Sequence, residues 1–475
     1  MAEEFDLAVI GAGPAGAEAA LAASAHGLSV LLLDDAEYVG GQVFRAPPPA
    51  FREGKPAKPG SDAASGGELR ARLASSDVTH ATSRRVWLAT SDFDLHTAGT
   101  HGSEIWSASA ICVAAGTHER IYPFPGWTKP GIIGLAAATI LLKSQFVLPG
   151  RRPVVAGSGP LLLAVASAII EAGGEVAALV DANAPLDWLR TLPGSFTRPD
   201  LLRRGSGWLR TIRNASVPIY RRSAVAAAHG VNTLERVEIV PLASGKYDAA
   251  STTIETDALC VGFGLIPAIE ALRLLGAAVT YEADLGGWVP TIDDFGRTSV
   301  PKLYATGDCA GIRGAAAASA AGTIAGLCAA HDLNALSEAD FQSALHGQLK
   351  ALRKAARFGR GMARLMAPRP ELISLAQPDT IVCRCEEVSR NEIETALTAG
   401  AHDVNQLKSW TRCGMGACQG RFCGEAAATL VASRVGSREK AGIWTARIPL
   451  QPVSINDLVG SFAYDDIPKP APAPA

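Results

Sequence analysis

Apolar positions in this chain come mostly as short unbroken runs that stop at glycine-rich turns, and each such run reads as a buried strand. The first, Leu7-Ala8-Val9-Ile10, enters Gly11-Ala12-Gly13-Pro14-Ala15-Gly16. An alanine-rich helical stretch to about residue 25, Gly27 and a second apolar run over 29–33 follow. This is a βαβ unit. Its glycines allow a tight turn, close approach of backbone to a pyrophosphate and close helix–strand packing, while the helix N-terminus faces the anion. Asp34 stands 23 residues after Gly11, at the end of the second strand, where a carboxylate accepts hydrogen bonds from a ribose. The turn therefore has the full context of a dinucleotide site.

The pattern recurs further on. The run 153–156 leads into Gly157-Ser158-Gly159-Pro160-Leu161-Leu162, a helix to about residue 172, a strand over 176–180 and Asp181. Leucine at 162 replaces the third glycine, so the helix is expected to be displaced or the nucleotide space filled. A nicotinamide site, another nucleotide and a purely structural layer stay open for this second unit. Between the two units, the run 111–117 ends in Ala115-Gly116-Thr117, after which prolines 123, 125 and 130 mark a crossover. Two later runs, over 257–264 and 302–308, are further strands. The second ends on Thr306-Gly307-Asp308 before a helix of small residues that contains Gly322. Asp308 is placed either to hold a polyol hydroxyl or to cap that helix.

Residues 46–67, rich in proline, glycine, lysine and serine, read as a long loop. The stretch 337–366 reads as a helix whose basic row, Lys350, Arg353, Lys354, Arg357 and Arg360, is a solvated face or a docking surface. The proline- and alanine-rich tail should be extended or disordered. With 475 residues, 48% hydrophobic and 19% charged, the chain is an ordered α/β protein of about three domains. Its net charge of −2 gives no field for nucleic acid. The start lacks a secretory pattern and no apolar stretch is long enough for a membrane span. A cytoplasmic protein is expected, with peripheral membrane association through an electron acceptor as the variant.

Five of the nine cysteines crowd between positions 383 and 423, which in a cytoplasmic chain points to metal or redox chemistry. Cys383-Arg384-Cys385 is followed 32 intervening residues later by Cys418, and Cys423 lies four intervening residues beyond. Four thiolates can saturate a [2Fe-2S] cluster, and soft sulfur selects zinc or iron–sulfur. Ser389-Arg390-Asn391-Glu392 is a capping box for a helix ending near Gly400, and Asp403 caps another. Cys112 and Cys260 lie inside strands, and Cys309 has no partner at CxxC spacing, so thiol–disulfide reduction is not expected.

Gly11, Gly13 and Gly16 with Asp34, the Ala115-Gly116 turn and Thr306-Gly307-Asp308 together resemble the two-dinucleotide-binding-domain flavoproteins that include thioredoxin and glutathione reductases. The resemblance covers about residues 5–330. It implies FAD bound through Gly11, Gly13, Pro14, Ala15, Gly16, Asp34, Asp35, Gly41, Gln42, Arg45, Ala115, Gly116, Thr117, Gly307 and Asp308. It also implies NAD(P) in the second unit, which Leu162 leaves uncertain.

Residues 379–435 resemble the bacterioferritin-associated-ferredoxin-like (BFD-like) [2Fe-2S] module in its CxC…GMGxCQGxxC form. This implies the ligands Cys383, Cys385, Cys418 and Cys423. Cys413, at the same four-residue spacing from Cys418, is then left over, and zinc or an empty site are the alternatives.

The whole chain, including Gly40-Gly41-Gln42-Val43-Phe44-Arg45, is similar to the FAD-containing α subunits of heteromeric amino- and imino-acid dehydrogenases. That group includes hydrogen cyanide synthase, opine oxidases and hydroxyproline or proline dehydrogenases. The resemblance implies an electron relay between two partners. One is a D-amino-acid-oxidase-like flavoprotein subunit that holds the substrate; the other is a one-electron or respiratory acceptor. A small ferredoxin-like subunit is the further partner it implies. A self-contained NAD(P)H-dependent reductase and an assembly factor with a structural cluster are the competing readings.

The expected fold is α/β: two Rossmann-like three-layer dinucleotide-binding domains plus a small helical C-terminal [2Fe-2S] domain. The FAD domain takes 1–125 and 250–330, the second domain 126–249, a helical linker 331–378, the cluster domain 379–435 and an extension 436–475. No residue stands out as a catalytic acid or base. His118 and Glu119, after Gly116, read as an exposed polar turn.

Overall fold

The computed structural model describes residues 3–48, 51, 61–100, 102–242 and 251–459. The apolar runs become strands buried on both faces, as parallel pairing under helices demands. Glu3–Ile10 lies at the centre of the first sheet, between Val30–Leu33 and Gly102–Val113, with Leu7 opposite Val30 and Val9 opposite Cys112. Leu303–Ala305 joins the far flank of Gly102–Val113 in parallel, and Asp94–Gly99 and Arg84–Ala89 extend the sheet as an antiparallel meander. Thr79–Ala81 pairs in parallel with Val30–Leu33, so the carboxyl ends of five parallel strands converge on one edge.

The second sheet is wholly parallel, in the order Ile219–Arg221, Ala178–Asp181, Val154–Gly157, Leu259–Gly262, Ile132–Gly134. Leu259–Gly262, expected in the FAD half, belongs here, and Thr252–Glu255 pairs with Arg236–Pro241 in a small antiparallel sheet beside it. The chain returns to the first unit only after Gly262. Its outgoing and returning crossovers, Thr117–Glu119 and Leu265–Pro267, pair antiparallel as a two-stranded waist.

Residues 46–67, expected as loop, end inside a helix, Ser61–Ala74. Positions 49, 50 and 52–60 of that stretch, and the tail from 460, lie outside the described residues. The basic stretch forms the helix Glu338–Leu365, capped by Ser337, and packs along Ala315–Asp332 through Phe341 and Leu345. The C-terminal unit is helical around a short hairpin, Ile381–Cys383 with Val388–Ser389. The capping box forms at Ser389 and Glu392, and Asp403 caps Val404–Thr411 by accepting from the Asn405 and Gln406 N–H groups. No described helix is long and apolar enough to cross a membrane.

The helix Pro14–Ser24 is clamped between its own sheet and the helix Ala315–Asp332. A Cβ on Gly16 would lie 1.8 Å from the Gly11 carbonyl oxygen, and one on Gly322 would lie 2.0 Å from the Ala15 carbonyl oxygen. Alanine at 322 would gain about 1 kcal/mol of helix propensity. The contact, however, is with backbone that cannot step aside, and overpacking costs about 1–3 kcal/mol. Gly322→Ala is therefore expected to lower the thermal midpoint and the flavin retained on purification. A melting curve and a flavin-to-protein absorbance ratio at or above wild type would contradict the clamp.

Candidate functional site

At the edge of the first sheet the glycines divide their tasks. Gly11, at φ +102°, would place a Cβ 2.5 Å from the Ala114 carbonyl, whereas a Cβ on Gly13 meets nothing closer than Gly41 Cα at 3.9 Å. The turn is tight against protein on one side and open at Gly13, as a cradle for a pyrophosphate must be. Pro14 opens the helix, so the N–H groups of its first turn face that opening.

Asp34 stitches the turn to the second strand: Oδ2 accepts from the Ala12 N–H and Oδ1 from the Ala36 N–H at 2.7 Å. Burial pushes its carboxyl up, and those two hydrogen bonds work against the rise. The neighbouring Asp35 is exposed, and Arg45 donates to Gln42 at 3.2 Å. Gly41 packs on Gly13, and Gly307, at φ +75°, packs on Ala15. Gly116, at φ +72°, has open space where a Cβ would stand, beside Ala115 and Thr117.

Asp308 Oδ1 accepts from the N–H groups of Arg313 (2.9 Å) and Gly314 (3.1 Å), so it caps the following turn while sitting at the strand end. These segments meet at one edge, and the open Gly13 face with small residues around it fits FAD.

The second unit differs where it matters chemically. Leu162 is fully buried among Leu135, Val155, Ile169 and Leu179, so it fills the layer between helix and sheet and leaves the nucleotide space alone. Met366, just past the long helix, is what lies there: a Cβ on Gly159 would be 2.5 Å from Met366 Cγ and 2.9 Å from its sulfur. Arg120 holds this plug by donating to the Met366 carbonyl and, at 2.7 Å, to the Gly286 carbonyl. Asp181 is also spoken for, accepting from Asn183 N (2.9 Å), Asn183 Nδ2 (3.0 Å) and Trp188 Nε1 (2.8 Å). No sequence signal marks Met366, because it lies over 200 residues from the turn it covers.

His118 and Glu119 are not an exposed turn, because their strand pairs at the waist. His118 Nε2 lies 3.0 Å from Glu270 Oε1, and Arg421 Nε of the cysteine loop lies 3.8 Å from the same oxygen. Burial pushes Glu270 up, yet His118 and Arg421 hold its carboxyl below the usual range. Glu119 accepts from the Ala136 N–H at 3.1 Å, and burial pushes its carboxyl up to about 7.

The sulfurs of Cys383, Cys413 and Cys423 lie within 4.8 Å of one another, all buried. Hydrogen bonding among the three lowers the Cys383 thiol from its ordinary range and raises those of Cys413 and Cys423. Cys385, exposed, and Cys418 face each other beside this triad. Gly416 makes that approach possible, since its Cβ would fall 2.2 Å from Cys385 Cβ. Thus all five thiols gather, and Cys413, left over by the resemblance, sits in the buried triad. A set of soft donors this dense fits an iron–sulfur centre. Cys309, by contrast, is buried with its thiol pushed up to about 12, which makes it unreactive.

Residues 5–322 match the pyridine nucleotide-disulphide oxidoreductase family, and residues 381–433 match the BFD-like [2Fe-2S] binding domain. A subunit of opine oxidase from Agrobacterium tumefaciens (strain Ach5) is 33% identical over 96% of this chain and 92% of its own length. The HcnB subunit of hydrogen cyanide synthase from Pseudomonas aeruginosa is 32% identical over 94% of this chain and 96% of its own. Among solved structures, L-proline dehydrogenase from P. horikoshii superposes with a TM-score of 0.69 at 19% identity, over 96% of this chain and 80% of that one. Thioredoxin reductase of T. acidophilum does so with 0.52 at 21% identity, over 70% and 99%.

The raised carboxyl of Glu119 has a consequence for stability. A group that titrates higher in the folded than in the unfolded state contributes stability that is fully present below its unfolded pKa, about 4.5, and is lost as pH rises through about 7. Glu119→Gln keeps an acceptor for Ala136 and removes the titration. Urea midpoints at about pH 5 and pH 8 should fall more steeply for wild type than for the variant; parallel profiles would contradict this assignment.

Proposed function

The chain belongs to the pyridine nucleotide-disulphide oxidoreductase family and carries a BFD-like [2Fe-2S] binding domain, and from that premise we propose that it is the electron-transfer subunit of a heteromeric amino- or imino-acid dehydrogenase. It relays electrons from a partner flavoprotein subunit to a one-electron or respiratory acceptor. The observation that carries this reading is Met366 over the Gly159 turn, in a chain that keeps an open Gly13 cradle and a thiol cluster. Two redox sites are present, and the family's usual entry for a pyridine nucleotide is covered. Bound FAD supplies storage for an electron pair that can leave singly, and a [2Fe-2S] centre supplies one-electron passage.

In this reading Gly11, Gly13, Gly16 and Asp34 bind and orient FAD, Asp308 holds its polyol end, and Cys383, Cys385, Cys418 and Cys423 hold the cluster. Arg421, Glu270 and His118 tie the cluster loop to the turn beside the flavin. The similar proteins are named as subunits of opine oxidase and hydrogen cyanide synthase, which supports a partner. We assign that partner the substrate pocket, as a D-amino-acid-oxidase-like flavoprotein; the further member is a small ferredoxin-like subunit. Large apolar side chains exposed around the cluster loop, Trp410, Met415 and Phe422, suit such contacts. An NAD(P)H-dependent reductase would need Met366 withdrawn from Gly159.

Two experiments test the reading. Iron per chain should fall to near zero in Cys385→Ser and Cys418→Ser and persist in Cys413→Ser; iron lost in Cys413→Ser but kept in Cys423→Ser would overturn the ligand set. NADH mixed with the flavin-loaded chain in stopped flow should bleach the flavin slowly and without saturation, and the chain alone should not reduce a dye with amino or imino acids. Rapid saturable bleaching would establish the reductase instead, and turnover by the lone chain would sink the relay.

A further inference from the structure

The cover on the second turn is rooted in another domain. Met366 lies against two glycines at once: a Cβ on Gly159 would be 2.5 Å from its Cγ, and one on Gly264 would be 2.5 Å from its Cβ. From there the chain passes through the short helix Pro370–Ile373 into the cysteine domain. Leu372, Ile373 and Leu375 are buried in the same apolar cluster as Val382, Ile393 and Leu430, and the thiols Cys383, Cys413 and Cys423 belong to that cluster too. Pro370–Ile373 packs against Gly424–Val435, the helix that starts directly after Cys423. Arg390 fastens the far end by donating to the Ala376 carbonyl. Residues 366–376 are thus a strap, with Met366 at one end and the cysteine domain at the other.

Two arginines hold the strap down. Arg369 Nη2 donates to Asn183 Oδ1 at 2.7 Å and lies 3.1 Å from Asp187 Oδ2. Asn183 in turn donates to Asp181, at the position where the second unit would meet a ribose, so one chain of hydrogen bonds runs from strap to acid. Arg120 is fully buried and donates to the Met366 and Gly286 carbonyls, while its Nε has no hydrogen-bond partner. A buried guanidinium met by neutral acceptors, with one donor unmet, is a group that an anion would satisfy better.

The turn beneath the strap keeps what such an anion needs. Gly157 and Gly159 stand at φ +139° and +87°, and Pro160 starts a helix of 12 residues whose first N–H groups face the turn. We propose that this turn is a latent site for a nucleoside diphosphate group, closed by the strap: the diphosphate takes the place of the Met366 side chain, and Arg120 exchanges the Met366 carbonyl for a phosphate oxygen. Lifting Arg369 from Asn183 also loosens the hold on Asp181. Because the strap continues into the core that contains the buried thiols, binding at the turn works against the packing of the cysteine domain. Such coupling is reciprocal: the ligand loosens the cluster, and a seated cysteine domain weakens the ligand. The proposal rests on the relay reading in that the closed strap is the working form there.

ADP-ribose carries the diphosphate and no nicotinamide, so its calorimetric titration into the flavin- and iron-loaded full chain reads binding without electron transfer. Met366→Ala should bind it about tenfold or more tightly than wild type, and Met366→Leu, which refills the turn, should return to wild type. Arg369→Gln, which leaves Met366 in place, should also tighten binding. In that variant saturating ADP-ribose should speed the release of iron to a chelator, and the flavin-to-protein ratio should stay constant throughout. Affinity unchanged in both Met366→Ala and Arg369→Gln, or iron release indifferent to ADP-ribose, would overturn the strap and leave the relay standing, since the relay is judged by dye reduction. Flavin displaced by ADP-ribose would overturn it too, by assigning the binding to the Gly13 cradle.

Discussion

The rest of the structure depends on one close approach, that of the helix Pro14–Ser24 to its sheet on one side and to the helix Ala315–Asp332 on the other. Gly16 and Gly322 are the positions where backbone meets backbone, and any side chain there would push the layers apart. The clamp brings Gly307 onto Ala15 and so closes the edge at which five strand ends meet. It also sets the direction of Ala315–Asp332, along which the long basic helix packs. The Met366 plug at the end of that helix therefore inherits its position from two absent methyl groups.

In the second unit the sheet-and-turn architecture is kept while Met366 packs on its Gly159 turn. The turn keeps its left-handed glycines, Gly157 and Gly159, because the strand must still hand over to the helix. Leu162 supplies apolar burial in the core, Asp181 is turned inward to Asn183 and Trp188, and the chain beyond Glu338–Leu365 lies across the opening. Arg369 adds a hydrogen bond to Asn183 Oδ1 at 2.7 Å.

The cysteine domain and the segment after it are bound to both dinucleotide-fold units at several points. Trp127 Nε1 donates to the Ile381 carbonyl at 2.6 Å, Arg421 reaches Glu270, and Arg85 donates to the Pro452 carbonyl at 3.0 Å. The segment after the domain runs back over the first sheet, where the Leu450 N–H donates to the Trp87 carbonyl. Trp444 lies against Gly414, Gly420 and Gly424, so one indole backs the loop that carries Cys418 and Cys423. A cluster loop held in this way has little freedom to reorganise when its charge changes.

The local chemistry was legible in the sequence. A run of apolar residues ending in Gly11-Ala12-Gly13 can do little except turn a buried strand into a helix, the capping box at Ser389 and Glu392 needs only a four-residue window, and five cysteines within 383–423 declare a soft-ligand site wherever they fold. What could not be read were the contacts between residues far apart in the chain. Met366 on Gly159, Arg421 at Glu270, the pairing that takes His118 and Glu119 out of solvent, and the strand Leu259–Gly262 in the second sheet all depend on how layers stack. So does the position of Cys413 inside the buried triad. Sequence patterns report the backbone's immediate needs, a positive φ or a cap. Which side chain comes to stand over which turn is decided by packing between elements, and its free energy depends on neighbours that no local window contains.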